Sequence, residues 1–191
     1  MSHPTKEQLR TTLRQRRRAL LPAAQLRAAH SVAQLAISLP QWARAKHIAL
    51  YHAADGEIGT EHIAQLAREQ GKYTYLPVIG ANRSMVFARW RGDEPLQPNA
   101  LGIAEPMPSA LAFSVAKLDI MFLPLLGWDK HGGRLGMGAG YYDRALAGVD
   151  GPTLIGLAHQ VQEVDKLPID TWDIPLNSVV TDKNIYHRQQ R

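Results

Sequence analysis

Apolar residues along this chain follow two spacings, one typical of amphipathic helices and the other of short, buried strands. In the first twenty residues, Leu9, Leu13 and Leu20 fall on one side of a helical wheel. Basic residues lie next to them within an arc of about 80°. We therefore predict an N-terminal helix whose basic stripe borders its buried face. The basic stripe consists of Lys6, Arg10, Arg14 and Arg17.

Further helices and strands alternate along the rest of the chain. Pro22 suits the first turn of a second helix, which we expect to end near Leu39. A third helix is predicted from an N-cap at Thr60 to a stop at Gly71. The proline-containing stretch 93–110 predicts irregular structure. Short apolar runs predict strands at 47–51, 73–79, 84–90, 119–126, 153–158 and 178–182.

This alternation predicts a three-layer αβα fold whose central sheet is largely parallel or mixed. The order is Rossmann-like, but the dinucleotide fingerprint GxGxxG is missing, because Tyr141 stands where its last glycine would be. In such folds, ligands bind outside the carboxyl ends of the strands. The loop with Glu57 follows one predicted strand and a glycine-rich loop follows another, so we expect both to face one crevice. The length of 191 residues fits one domain, 1–191.

Composition narrows the class of protein. Hydrophobic residues make up 45% and charged residues 20% of the chain, as in an ordinary globular protein. The absence of cysteine excludes a disulfide framework, a thiolate metal site and a cysteine nucleophile. The sequence has no run of eighteen apolar residues and no N-terminal apolar segment of the signal-peptide type. We therefore expect a cytoplasmic protein without a membrane partner.

Positive charge is concentrated at the N-terminus. Residues 1–18 carry six basic side chains and one acidic side chain, a net +5 that equals the net charge of the whole chain. The remaining residues are balanced, which disfavours a uniformly basic nucleic-acid-binding surface. A solvated helix face and a contact surface both stay open for the basic segment. A nucleic-acid-binding module built on the arginines at 10–18 is the alternative to an enzyme, and it predicts binding that weakens steeply with salt.

The stretch GGRLGMGAGYYDR, residues 132–144, places five glycines before two tyrosines, an aspartate and an arginine. Convergent backbone N–H groups, the forked donors of Arg134 and the start of a short helix predicted near 140–147 are the ingredients of an anion site. The Walker A pattern does not fit, because no lysine and hydroxyl follow in register. Glycines that make only a tight turn and a close helix–sheet contact are the alternative.

Other polar and aromatic residues are candidates for binding. Asp143 and Asp173 could supply carboxylate oxygens to Mg²⁺, and Glu57 lies on a loop after a strand, although turn, helix and solvated roles are the alternatives. The eight histidines lack a zinc-binding spacing, and no GxSxG elbow supports serine hydrolase chemistry. Several aromatic rings could stack on a flat ligand or pack in the core. These rings belong to Trp128, Trp172, Tyr141 and Tyr142.

One longer segment is specific enough to indicate a family. The string LPLLGWDKHGGRLGMGAGYYDR, residues 123–144, closely resembles the signature of the 5-formyltetrahydrofolate cyclo-ligase family, also called 5,10-methenyltetrahydrofolate synthetase. Three positions depart from the usual pattern, since Trp128 replaces a phenylalanine, Met137 a basic or bulky residue and Trp172 a histidine. Further matching pieces in the same order extend the resemblance over nearly the whole chain. They are KEQLR followed by arginines (6–17), EIGT (57–60), YLP (75–77), GIAEP (102–106) and LPIDTWDIPLNSVVTD (167–182).

The resemblance implies an ATP- and Mg²⁺-dependent ring closure. The implied enzyme converts 5-formyltetrahydrofolate to 5,10-methenyltetrahydrofolate and releases ADP and phosphate, through a phosphorylated formyl (imidate phosphate) intermediate that N10 attacks. Such chemistry needs positioning and charge neutralisation more than a protein nucleophile. We expect 5-formyltetrahydrofolate and ATP as partners, no nucleic acid or membrane, and a monomer or weak dimer. A relative that keeps the scaffold but acts on another phosphorylated or acyl substrate is a further hypothesis.

The resemblance also implies roles for individual residues. Arg134 and Tyr142 would be catalytic, with Arg134 stabilising charge on the transferred phosphoryl group. Asp143 and Asp173 would bind Mg²⁺. The Glu57 carboxylate would accept hydrogen bonds from pterin N–H groups. The implied ATP-binding residues are Lys6, Arg10, Gly133, Arg134, Leu135, Gly136, Met137, Gly138, Ala139, Gly140 and Tyr141. The implied folate-binding residues are His52, Glu57, Glu105 and Tyr142.

Overall fold

The computed structural model describes residues 4–100, 102–107 and 112–190. Its helices are α1 (Lys6–Arg18), α2 (Pro22–Ile37), α3 (Pro40–Arg44), α4 (Glu61–Glu69) and α5 (Tyr141–Leu146). Its longer strands are β1 (His47–Ala49), β2 (Tyr73–Ile79), β3 (Met85–Arg89), β7 (Ile120–Leu123), β10 (Thr153–Ala158), β11 (Ser178–Thr181) and β12 (Ile185–His187). Its two-residue strands are β4 (Gln97–Pro98), β5 (Ala104–Glu105), β6 (Ala112–Phe113), β8 (Gly127–Trp128) and β9 (Arg134–Leu135).

A mixed sheet of eight strands forms the centre of the fold, in the order β12-β11-β10-β7-β1-β2-β3-β6. The five strands from β11 to β2 run parallel. At the two sides, β12 and β3 run antiparallel to their inner neighbours, and β6 pairs antiparallel with β3. The remaining strands form two separate hairpins, β4–β5 and β8–β9.

Alternating side chains of the central strands divide the core into two layers. In β7, Ile120 and Phe122 pack into the core that α2, α3 and α4 cover. Met121 and Leu123, the residues between and after them, pack into the opposite core with Leu146 of α5. All four strand residues are fully buried, as expected for a strand covered on both faces. The predicted three-layer α/β fold with a largely parallel, mixed sheet is therefore confirmed.

Helix α1 begins with a capping box and lies against a smaller third core. The Thr5 hydroxyl accepts a hydrogen bond from the Gln8 amide at 3.3 Å, and the Gln8 side chain accepts one from the Thr5 amide at 2.9 Å. Leu13 packs with Leu135 and Leu167. These contacts fix the helix beside the β8–β9 hairpin and leave its basic stripe partly buried, with Arg17 fully buried.

The ends of several elements differ from the prediction. β7 ends at Leu123 because Pro124 cannot donate to a neighbouring strand, so the predicted strand 119–126 is too long. Strand β1 ends at Ala49 rather than at residue 51. Helix α2 stops at Ile37, since Pro40 begins the separate short helix α3.

The predicted start of α4 is confirmed, but the predicted N-cap hydrogen bond is absent from the described structure. Thr60 is the residue before the helix, but its hydroxyl makes no cap hydrogen bond. It donates instead to the Tyr51 carbonyl at 2.6 Å and so ties the helix to the segment after β1. Gly71 follows the helix with a left-handed φ of +71°, the conformation expected where glycine ends a helix.

The stretch 93–110 is not wholly irregular. Residues 101 and 108–110 lie outside the described residues, and within the rest of the stretch β4 and β5 pair antiparallel, with Gln97 opposite Glu105. Among the helices of the described residues, none is both long enough and apolar enough to span a membrane.

Candidate active site

A cavity of about 890 Å³ opens at the carboxyl ends of the central strands. Ile79 ends β2 and lines the cavity, as do His52 in the segment after β1 and Leu125 in the segment after β7. Because parallel strands place their carboxyl ends at one edge, the loops that follow them converge there. The cavity is also lined by Glu57 and by residues 134–144, so the two loops expected to share a crevice do so.

The glycine loop is defined here as residues 132–140. Its first half, which contains Gly132 and Gly133, has a structural role. The Gly133 amide donates to the buried Asp129 carboxylate at 2.9 Å, and a Cβ at Gly133 would lie 2.7 Å from that carboxylate. Gly132 adopts a φ of +84° and its carbonyl accepts from the Leu176 amide at 2.9 Å. Neither Gly132 nor Gly133 lines the cavity. Here the tight-turn interpretation of the glycines applies, and the Gly133 amide is already occupied.

The second half of the glycine loop, residues 136–140, lines the cavity. Within the described part of the chain, the backbone amides of these residues have no hydrogen-bond acceptor. Arginines hold two of the loop's carbonyls: Arg10 Nε donates to Gly136 at 3.0 Å, and Arg144 Nη2 donates to Ala139 at 2.7 Å. Gly138 has a φ of +101°, a conformation that other residues adopt only with strain. Free amides next to fixed cations are typical of an anion site.

Two cations of the cavity are paired with carboxylates. Lys6 donates to Asp170 at 2.7 Å and to Asp173 at 2.6 Å. Burial opposes the charge of Lys6, but these two hydrogen bonds outweigh it and raise the pKa of the lysine above its ordinary value. Arg134, whose side chain is 5% exposed, donates to Asp143 at 2.7 Å. Its Nε is buried without a partner in the described residues, so one donor is left for a ligand.

The two carboxylates predicted to bind Mg²⁺ both line the cavity and fit such an ion. Asp143 uses one oxygen for Arg134 and for the Ile174 amide at 3.3 Å, and its other oxygen has no partner among the described residues. Asp173 likewise uses one oxygen for Lys6 and the Asp170 amide. No group of three or more histidine, cysteine or acidic side chains in the described ranges could enclose a metal. An ion held here would need further oxygens from phosphate or water, which is usual for Mg²⁺.

Another part of the cavity lining combines an acid with two tyrosines. Burial raises the pKa of Glu57, while a 3.0 Å hydrogen bond from the Ala54 amide and the charge of Arg17 act in the opposite direction. Burial and the nearby Glu57 raise the pKa of Tyr142, and Arg134 at 5.6 Å from its ring opposes them. Tyr51 is buried, its hydroxyl donates to the Ile58 carbonyl at 2.9 Å, and its pKa is raised by burial and by Glu57. Both phenols therefore stay neutral donors beside the carboxylate.

Of the predicted site residues, Gly133 and Glu105 do not line the cavity, and the others do. Leu135, Met137, Tyr141 and His52 line it. Glu105 does not: its carboxylate accepts from the Ile79 amide at 3.1 Å and from Asn99 Nδ2 at 3.0 Å. In this structure Glu105 thus fixes the end of β2, and its contact with folate stays a prediction.

The candidate aromatic residues separate into core and cavity groups. Trp128 is fully buried and packs against Tyr186, with ring centroids 4.7 Å apart, which is the packing alternative. Trp172 is 66% exposed and lines the cavity. The Arg144 guanidinium lies 5.5 Å from the Tyr141 ring centroid.

Several cavity residues were missed by the sequence reasoning. Asp170 is one, and a second carboxylate three residues before Asp173 was the available signal. Asp55 is another, and it binds Arg17 at 2.8 Å. The Asp-Gly dipeptide at 55–56 signalled a turn, but nothing in it pointed to a partner on α1.

Comparison with known proteins gives a consistent result. The model of the 5-formyltetrahydrofolate cyclo-ligase family matches residues 2–182. The chain is 40% identical over 185 residues to the 5-formyltetrahydrofolate cyclo-ligase of Haemophilus influenzae. This match covers 94% of this chain and 99% of the relative. The chain is 35% identical over 179 residues to the enzyme of the same name from Escherichia coli K12, covering 91% and 98%.

Solved structures agree with the sequence matches. The NMR structure of Aquifex aeolicus 5,10-methenyltetrahydrofolate synthetase superposes with a TM-score of 0.83 at 32% identity, covering 97% of this chain and 94% of that one. A 5,10-methenyltetrahydrofolate synthetase from Mycoplasma pneumoniae gives 0.76 at 25% identity, covering 93% and 99%. The chain therefore belongs to the 5-formyltetrahydrofolate cyclo-ligase family of enzymes.

Proposed function

We propose that this protein uses ATP and Mg²⁺ to convert 5-formyltetrahydrofolate to 5,10-methenyltetrahydrofolate, with release of ADP and phosphate. Family membership supports the folate conversion. One observation supports the proposed use of ATP and Mg²⁺. A single cavity is lined both by the unpaired amides of residues 136–140, with the arginines beside them, and by Glu57 and Tyr142. An anion site and a site for hydrogen-bond donors are thus adjacent, as a phosphoryl transfer to folate requires.

The proposed reaction has two steps. The formyl oxygen of the folate attacks the γ-phosphorus, the bond to the β-phosphate oxygen breaks, and ADP leaves. N10 of the folate then attacks the activated formyl carbon, loses its proton, and phosphate departs as the imidazoline ring closes. Neither step needs a protein nucleophile, so the protein contributes position and charge.

In this proposal the cation-rich end of the cavity binds the triphosphate. The free amides of residues 136–140 donate to its oxygens, and a hydrogen bond from Arg10 fixes the Gly136 carbonyl. Arg134 stabilises charge on the transferred group, with its unpartnered Nε as the available donor. Asp143 and Asp173 would hold Mg²⁺ through their unpaired oxygens, where the ion would neutralise phosphate charge.

The part of the cavity lined by Glu57 and Tyr142 binds the pterin. Glu57, as a carboxylate, accepts hydrogen bonds from its N–H groups. Tyr142 lies near Arg134, 5.6 Å from its ring centroid, and the Glu57 charge raises the pKa of its hydroxyl. In this proposal Tyr142 donates to the formyl group of the folate, and His52 lines the same cavity.

The direct test is to mix the purified protein with 5-formyltetrahydrofolate, ATP and Mg²⁺ and to follow the methenyl product by its near-ultraviolet absorbance. We expect the product to form only when all three are present, with one ADP released per ring closed. Omission of ATP and replacement of ATP by a non-hydrolysable analogue are the controls. Authentic substrate that gives no absorbance change would contradict the proposal.

The basic stripe of α1 is engaged within the protein, which favours the enzyme over the nucleic-acid-binding alternative. Arg17 is buried, Lys6 is paired with two carboxylates, and Arg10 holds the glycine loop. We propose that nucleic acid is not a partner. Removing residues 1–18 should then lower ATP affinity, whereas the alternative predicts loss of salt-sensitive nucleic-acid binding alone.

A further inference from the structure

Arg17 is a charged residue enclosed in the interior of the protein. Its side chain is 0% exposed. Nη1 donates to the Leu125 carbonyl at 3.3 Å, and Nη2 donates to Asp55 at 2.8 Å. Nη1 also lies 3.7 Å from a carboxylate oxygen of Glu57. The Nε atom has no partner within the described residues. The guanidinium thus faces both acids of the loop that enters the folate end of the cavity.

Stability alone gives a poor reason for an arginine at this position. A buried ion pair pays a large desolvation penalty, and well-packed apolar side chains of similar volume are often as stabilising. The neighbouring turn of α1 uses a leucine, Leu13, for its buried position. An orphaned Nε adds to the cost of Arg17. A buried arginine facing the folate end is therefore better explained by a role in the site.

The loop with Glu57 is built against the Arg17 side chain. Asp55 and Gly56 both adopt left-handed conformations, with φ of 53° and 77°. A Cβ at Gly56 would lie 3.7 Å from Arg17 Cγ, so the loop rests on the arginine stem. His159 Nε2 lies 3.0 Å from the Gly56 carbonyl. The turn is closed by a hydrogen bond from the Glu57 amide to the Ala54 carbonyl at 3.0 Å.

We propose that Arg17 is a positioning residue that fixes the Glu57 carboxylate and supplies its counter-charge for binding the pterin. This inference rests on the proposed function. The charged and titratable groups that face Glu57 are Arg17 from α1, Asp55 from its own loop, Tyr51 after β1 and Tyr142 from α5. Arg17 is the one cation among these groups, so its removal would take this positive charge away from the buried carboxylate.

The test compares Arg17→Met with Arg16→Met, an exposed neighbour on the same helix. Arg17→Met keeps an unbranched apolar stem and removes the charge. We expect it to raise the KM for 5-formyltetrahydrofolate about tenfold or more, the size expected when one partner of a buried pair is removed. The KM for ATP should change less than about twofold. Arg16→Met should leave both constants as in the unmodified protein. Equal increases in both KM values for Arg17→Met would instead indicate general distortion and would overturn the proposal.

A double-mutant cycle with Glu57→Gln distinguishes an effect of Arg17 through the Glu57 carboxylate from a general structural effect. If Arg17 acts through the carboxylate, adding Arg17→Met to Glu57→Gln should raise the folate KM by less than about twofold. The same increase in both backgrounds would contradict the proposal. The cycle also separates the two levels of inference. An unchanged folate KM for Glu57→Gln itself would refute the proposed role of Glu57, whereas a raised one with no effect of Arg17→Met would refute only the role of Arg17.

The pH dependence provides an independent readout. Loss of the counter-charge should let Glu57 keep its proton to higher pH, so the folate KM of Arg17→Met should fall as pH rises, over a more alkaline range than in the unmodified protein. Glu57→Gln should remove this dependence. If Arg17→Met does not fold, Arg17→Lys keeps the charge but loses the fork of donors. It should raise the folate KM about two- to fivefold, and again only when Glu57 is present. An equal increase in the Glu57→Gln background would overturn the proposal.

Discussion

At the residue scale, arginines with different partners carry the positive charge around the cavity. Arg10 and Arg144 hold backbone carbonyls of the glycine loop, whereas Arg134 is paired with Asp143. Arg134 therefore differs from the other two in facing a carboxylate that is itself a candidate metal ligand. In the proposed function, Asp143 would hold Mg²⁺ through its unpaired oxygen, and the unpartnered Nε of Arg134 would be the donor to the transferred phosphoryl group.

Arg134→Met tests this role. Removing a charge that is used mainly in the transition state should lower kcat about 10²–10³-fold, with a smaller change in the KM for folate. Steady-state kinetics with each substrate varied in turn would measure both. Arg91→Met, at an exposed arginine paired with Glu94, is the matched control and should keep full turnover. Turnover of Arg134→Met equal to that of the control would remove Arg134 from the site.

At the element scale, the glycine loop divides into a structural half and a half that lines the cavity. Gly132 and Gly133 support the turn around Asp129, whereas residues 136–140 keep unpaired amides. The sequence left the two interpretations of the glycines open, and each describes one half of the loop. No feature of the glycine spacing marks the border, because it depends on the position of Asp129.

Gly138→Ala tests the second half of the loop, with Gly71→Ala as its control. Both glycines have positive φ, +101° and +71°, so each substitution should cost about 1–2 kcal/mol of unfolding free energy. A Cβ at Gly138 would also lie 3.4 Å from Arg10 Cζ, whereas a Cβ at Gly71 would meet no atom of the surrounding described residues within 4 Å. Denaturant unfolding would measure the shared loss of stability.

Only one of these two variants should affect the nucleotide. We expect Gly138→Ala to raise the KM for ATP about fivefold or more, because it disturbs both the amides and Arg10. Gly71→Ala should leave that KM unchanged. Parallel behaviour of the two variants in ATP binding would show that the loop contributes only stability.

Sequence patterns predicted the longest strands better than the short ones. The runs at 73–79 and 153–158 match β2 and β10 in full, since both are long and apolar. The strands β6, β8 and β9 have two residues each, too few to show a period of two. β12 was missed because Ile185, Tyr186 and His187 are only partly buried or exposed and give no apolar run.

At the scale of the whole molecule, the cavity is made by contacts between residues far apart in sequence. Lys6 lies 167 positions before Asp173, and the two side chains meet at 2.6 Å. The resemblance to a family placed both residues in one predicted site, but it did not predict that they form an ion pair. Spacing alone could not have shown it, because the contact depends on how α1 packs against the β8–β9 hairpin.

Acid should destabilise the protein in part through Asp55. Burial opposes its ionisation, but hydrogen bonds from Arg18 and Arg17 outweigh burial and hold its pKa below the ordinary value of 3.8. A depressed carboxyl pKa gives stability that is complete above pH 3.8 and is lost as pH falls through the folded-state value. Asp55→Asn should therefore cost about 2 kcal/mol near neutral pH, and the cost should shrink as pH falls below 3.8.

Urea unfolding at several pH values would measure this difference. Asp150→Asn, at an exposed position, is the control and should change stability little at any pH. A constant difference between Asp55→Asn and the unmodified protein down to the lowest pH would contradict the assigned ion pairs.

The most direct measurement is a structure of the protein with a non-hydrolysable ATP analogue, Mg²⁺ and 5-formyltetrahydrofolate. We predict that terminal phosphate oxygens lie within about 3.2 Å of backbone amides between residues 136 and 140, with Glu57 facing the pterin. Phosphates bound elsewhere, with these amides still unpaired, would contradict the account.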